Sequence, residues 1–117
     1  MYSKLAIVNA VIAISQLASA GHYMCYNGQY FTEEYVNTIA NKCFGVSEGS
    51  VGGYPMGYEN LQQNMRGNSF RKFPLLLSGV EWNGGDFQYF VASNGASESK
   101  KVFHKSSRLD ELCPYRR

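Results

Sequence analysis

The chain has 117 residues, with 11 Lys and Arg against 9 Asp and Glu and a formal net charge of +2. A balance so near neutral carries no electrostatic footprint of a nucleic-acid-coating protein. The length excludes more than one sizeable domain. Nine Tyr, seven Phe and twelve Gly favour a sheet-containing fold with tight turns.

Residues 1–20 read as a secretory signal peptide. Lys4 gives the positive start, the apolar run over 5–14 is too short to span a bilayer, and Ala18-Ser19-Ala20 is a small-residue cleavage pattern. Gly21 is then the expected mature N-terminus. The remaining single domain, 21–117, carries ten basic and nine acidic side chains. It is expected to fold in an oxidising compartment, with no membrane contact after cleavage.

In chain order, residues 22–26 alternate as a short strand, Asn27-Gly28 is a hairpin turn, and Gln29-Tyr30-Phe31 returns from it. Thr32 is the expected N-cap of a helix reaching Phe44. Glu33 and Glu34 follow in its first turn, and Phe31 and Val36 form a hydrophobic staple. Val36, Ile39, Ala40 and Cys43 share the inward face, and Gly45 is the expected residue past the end. Gly45 to Gly53 is loop-like. Tyr54 to Tyr58 reads as an edge strand, because Pro55 cannot donate to a ladder. Leu61 to Asn68 is polar and weakly patterned.

Phe73-Pro74-Leu75-Leu76-Leu77 is the most apolar run and is expected to be a central strand. Asp86 to Ser93 is a second long strand, with Phe87, Tyr89 and Val91 on one face and Gln88, Phe90 and Ala92 on the other. Asn94-Gly95 turns into a third strand over Lys100 to Lys105. Pro114-Tyr115-Arg116-Arg117 reads as a solvated tail. One helix followed by antiparallel strands defines an α+β fold, with the helix packed on the sheet.

Cys25 opens the mature chain and Cys113 nearly closes it, so their pairing would tie the two ends together. Cys43 is the odd cysteine. Its helical phase predicts a buried free thiol, with an intermolecular disulfide as the alternative. Three cysteines without metal-ligand spacing argue against zinc, and no cofactor or other metal is expected.

The ordered motifs resemble the small fungal guanyl-specific ribonucleases. They are Tyr23-x-Cys25, one helix, Tyr54-Pro55, Phe73-Pro74-Leu75-Leu76 and a terminal Cys113. More closely, the chain looks like the RNase-like effectors of cereal powdery mildew fungi, proteins associated with haustoria, in which Tyr-x-Cys follows a cleaved signal peptide. The resemblance implies cleavage by internal attack of a 2′-hydroxyl, which needs a base, an acid and a cation at the phosphate. Carried over residue by residue, Tyr54 matches the family's Tyr and His104 is set against the acid His. Met56 stands in place of the other His, Lys72 in place of the Glu base, and Phe87 in place of the Arg. Thioether sulfur is barely basic and a lysine is normally protonated, so neither replaces the base. An active enzyme would need another carboxylate, with Glu59 and Glu81 as candidates.

The chain therefore reads as a pseudoenzyme: a secreted virulence effector on a ribonuclease scaffold without its catalytic set. The resemblance implies export into plant cells, with the host cell cytoplasm as the expected location, and, for some members, recognition by leucine-rich-repeat immune receptors; a monomer that binds host plant proteins is expected, and the near-neutral charge argues for weak or no RNA binding. Arg66, Arg71 and Trp82 are the expected interface residues, because Arg and aromatic side chains dominate interface energies, with a place in the small core as the alternative for Trp82. The alternatives are an active guanyl-specific ribonuclease and an extracellular structural or inhibitory module.

Overall fold

The computed structural model describes residues 21–66, 69–96 and 99–117; the expected signal peptide lies outside them. Strand β1 (His22–Met24) pairs antiparallel with β2 (Tyr30–Thr32), and Cys25 N–H donates to Gln29 O at 2.8 Å across the Asn27-Gly28 turn. Thr32 caps helix α1 (Glu33–Ala40), its side chain accepting from Tyr35 N at 3.2 Å. Asn41 separates α1 from a short second helix, α2 (Lys42–Gly45). The expected single helix is thus two consecutive pieces, and Gly45 is its last residue rather than the one beyond.

A five-stranded antiparallel sheet follows. Its order is β3 (Met56–Gly57), β4 (Arg71–Leu75), β5 (Tyr89–Ser93), β6 (Lys100–His104) and β7 (Glu111–Cys113). The central strand is β5, buried along its whole length, and β4 lies next to the edge. The ladder between β3 and β4 stops at Lys72, so Pro74 falls where no donor is required. A 3-10 turn at Leu61–Gln63 is capped by the Asn60 side chain.

Val36, Ile39, Ala40 and Cys43 are buried where the helices meet β4 and β5, together with Phe73, Leu75, Val91 and Val102. Full burial of each Val, Leu, Ile or Phe side chain among them is worth about 1.5–3 kcal/mol. Tyr35 fastens the helix at one end: its hydroxyl accepts from Leu76 N at 2.9 Å and donates to Val80 O at 2.8 Å.

The C-terminal tail is a strand, which corrects the solvated-tail reading. Strand β8 (Tyr115–Arg116) pairs with β1, and Met24 N–H donates to Pro114 O at 3.0 Å. The Tyr115 ring lies against Gly21, and its hydroxyl donates to Glu33 Oε1 at 2.6 Å. Cys25 and Cys113 form the expected disulfide, which joins the β2-β1-β8 sheet to the five-stranded one. Cys43 is a buried free thiol, and burial pushes its pKa up to about 12.

Candidate functional cleft

Strand alternation divides the large sheet into two faces. Arg71, Phe73 and Leu75 of β4 share the helix-side face with Tyr89, Val91 and Val102. Met56, Lys72, Phe90 and Phe103 share the other, because Met56 pairs with Lys72, Lys72 with Ala92, and Phe90 with Phe103. That second face is the candidate site.

Phe90 and Phe103 stack at 5.3 Å to form its floor, and Tyr58 meets both rings at 5.0 and 5.5 Å. Lys72 Nζ stands 4.9 Å above the Phe90 ring and 5.2 Å above that of Tyr58. Burial holds the Lys72 pKa below the ordinary lysine value; the charge of Asp110 opposes this and that of Lys105 adds to it. Asp110 is held from two sides, by the Tyr58 hydroxyl at 2.9 Å and by Ser106 N at 3.2 Å. Asn60 Nδ2 donates to the same Tyr58 oxygen at 3.0 Å. At one end Lys105 Nζ lies 4.1 Å over the Phe87 ring. At the other, a groove of about 340 Å³ is lined by Tyr58, Asn60, Leu61, Arg108, Leu109 and Asp110 among others.

The five residues taken from the ribonuclease pattern do not converge. Met56 and Lys72 are cross-strand neighbours on the cleft face. Tyr54 and Phe87 meet edge to face at 5.4 Å in a cluster with Trp82. Phe87 precedes β5, and Ala92 stands opposite Lys72 in its stead. His104 alternates with Phe103 and therefore faces the other side of the sheet. There it stacks on Tyr89 at 4.7 Å, with Nδ1 3.9 Å from Glu111 Oε1.

The expected interface residues also divide. Trp82 is 3% exposed, with Nε1 donating to Gly85 O at 3.1 Å, so its reading as an exposed anchor is corrected: the ring packs between Tyr54, Phe73 and Phe87. Arg71 is half-buried, 4.4 Å over the Phe44 ring and donating to Cys43 O at 3.3 Å. Arg66 is exposed. Glu81 pairs with Lys42 at 3.0 Å beside the helix, away from the cleft.

Tyr58, Asp110 and Lys105 were not singled out from sequence. Asp110 and Tyr58 are 52 positions apart, and only the fold brings them together. Among the described residues no cluster of His, Cys, Asp or Glu is arranged to hold a metal, and no helix is long and apolar enough to cross a membrane.

No protein-family model matches the chain, and no curated protein matches it by sequence. A helix on one face of an antiparallel five-stranded sheet, with a cleft on the other and the chain ends stapled together, makes this an RNase-like α+β fold. The chain is similar to the solved structure of the BEC1054 RNase-like effector from the fungal pathogen Blumeria graminis. The TM-score is 0.68 at 22% identity, covering 84% of this chain and 99% of that one. The resemblance read from the ordered motifs is thus matched at the level of the fold.

Proposed function

We propose that this protein is a secreted effector that acts by binding a host partner and not by cleaving RNA. One observation carries the reading: Lys72 occupies the position expected of the general base, with its ammonium over the Phe90 and Tyr58 rings. A cation there cannot accept the 2′-hydroxyl proton. Of the carboxylates at the cleft, Asp110 is engaged by Tyr58 and Ser106, and Glu59 lines the adjoining groove on the exposed rim. The nearest histidine candidate, His104, belongs to the opposite face. Loss of a general base alone typically removes 10²–10⁴-fold in rate, about 3–5 kcal/mol of barrier.

The contact surface is the rim of the cleft, where Leu61 and Leu109 are 59% and 51% exposed beside Arg108. Exposed leucines flanking a polar groove suit a protein partner, with an apolar anchor and a charged rim. Delivery to the host cytoplasm and recognition by a leucine-rich-repeat receptor belong to the same proposal. A second reading, RNA held without cleavage, is supported by Lys72 and Lys105 on an aromatic floor.

The test is capture from host leaf extract, with and without nuclease, using the wild type and the double variant Leu61→Asp/Leu109→Asp. A protein partner retained after nuclease and lost with the double variant supports the first reading. Capture that disappears on nuclease treatment, or on Lys72→Ala/Lys105→Ala, transfers the function to RNA. Capture of nothing by a correctly folded protein sinks both.

A further inference from the structure

The sequence contains three Asn-Gly pairs, at 27–28, 83–84 and 94–95. Asn-Gly is the dipeptide in which a side-chain amide is most easily attacked by the next backbone nitrogen, because glycine leaves that nitrogen unobstructed. The attack requires a rotatable Asn amide and an available N–H on the following residue.

Two of the three pairs are locked. Asn27 donates from Nδ2 to the Tyr89 hydroxyl at 2.7 Å and accepts Gln29 N at Oδ1 at 3.1 Å. Its would-be nucleophile, Gly28 N–H, donates to Cys25 O at 3.0 Å. Asn94 Oδ1 accepts Ala96 N at 2.9 Å, and Gly95 N–H donates to Ser93 Oγ at 3.1 Å. Asn83 is exposed like the other two but differs in its hydrogen bonding: among the described residues neither its amide nor Gly84 N–H has a partner. Gly84 has φ of 133°, a conformation suited to glycine, in a loop pinned on either side by buried Trp82 and Phe87.

We propose that Asn83 is a site of non-enzymatic deamidation in the folded protein. Gly84 N loses its proton to solvent base and attacks Asn83 Cγ, forming an N–C bond. The Cγ–Nδ2 bond breaks, and ammonia leaves carrying a proton from solvent. The resulting five-membered succinimide is opened by water at either carbonyl, giving aspartate or isoaspartate. The net exchange is one water in and one ammonia out, with no redox change. It adds a negative charge to the loop that carries Trp82 and Phe87, and the isoaspartyl form also lengthens the backbone by a methylene.

The test is to hold the purified, disulfide-bonded protein in warm, mildly alkaline buffer and to map its peptides by mass over time. A reduced and denatured sample provides the unlocked reference. The peptide spanning Asn83 is expected to gain about one mass unit and to separate into two products. Its rate should be at least several-fold that of the Asn27 and Asn94 peptides, and the three rates should converge on denaturation. The Asn83→Gln variant should show no gain there, since its longer side chain would need a six-membered ring. Asn27 or Asn94 reacting as fast as Asn83 in the folded protein overturns the proposal, as does a folded Asn83 that stays intact while the denatured one converts.

Discussion

Removing the Cys25–Cys113 disulfide should weaken the fold without changing it. The bridge spans a sequence separation of 88. In the chain-entropy model a loop of that size destabilises the unfolded state by about 4.5 kcal/mol. A domain of this length has roughly 5–15 kcal/mol in total, so the remainder is small but positive. At the unfolding entropy usual for such a domain, the loss corresponds to a fall in Tm of about 20 °C. The native ends stay together without sulfur: β8 pairs with β1, Met24 N–H donates to Pro114 O, and Tyr115 reaches Glu33. Cys25 and Cys113 are only 2% and 1% exposed, so reduction in a reducing cytosol must await opening of the chain ends. The assay is urea denaturation of the wild type and of Cys25→Ala/Cys113→Ala, followed by fluorescence of buried Trp82. A folded baseline with a stability loss of about 4–5 kcal/mol is expected. A loss under about 1 kcal/mol would refute the loop-entropy reasoning. A double variant without a folded baseline would refute the claim that the β1–β8 ladder closes the ends by itself.

Three further outcomes are expected. Burial lowers the folded-state pKa of Lys72, so the unfolded chain binds that proton more tightly; stability should rise with pH between the lowered value and the ordinary 10.5, and Lys72→Met should remove that part of the slope in alkaline thermal melts. A Cβ on Gly21 would lie 2.1 Å from the Tyr115 hydroxyl, so Gly21→Ala should swing Tyr115 off Tyr23 and Glu33, and Gly21→Ala/Tyr115→Ala should unfold with less loss than the sum of its singles. Cys43, its pKa raised to about 12 in the core, should resist iodoacetamide until denaturant is added; alkylation of the native protein at the rate of an exposed thiol would contradict its burial.

What the sequence made legible were features encoded locally or by period. Thr32 with two glutamates after it, and the stripe at Val36, Ile39, Ala40 and Cys43, identify a capped amphipathic helix before any contact is known. The alternation of Tyr89 and Val91 against Phe90 and Ala92 was likewise readable, although β5 begins three residues later than expected. Strand β8 was not readable. It is two residues long, and its partner β1 lies at the far end of the sequence, so the pairing exists only in the folded chain. The cleft was only partly visible. Met56 and Lys72 follow from the resemblance carried by Tyr54-Pro55 and Phe73-Pro74, whereas the face of His104 depends on which residue it pairs with across β5, and pairing register is a property of the folded sheet. Trp82 stayed open between an exposed anchor and a core ring because a lone Trp between Glu81 and Asn83 carries no periodic sign of burial; its place is set by the rings of Tyr54, Phe73 and Phe87.

Cleavage of a guanine-containing dinucleotide, followed to long times at high enzyme concentration, tests most directly whether this scaffold has given up catalysis. The expected result is a rate at the buffer background for the wild type, unchanged in Asp110→Asn and His104→Ala. Lys72→Glu should stay at background as well, since it would set a carboxylate near Asp110 over the electron-rich faces of Phe90 and Tyr58. Guanine-specific turnover well above background that is lost in Asp110→Asn would contradict the proposal, and would make the Tyr58–Asp110–Lys72 group a working active site.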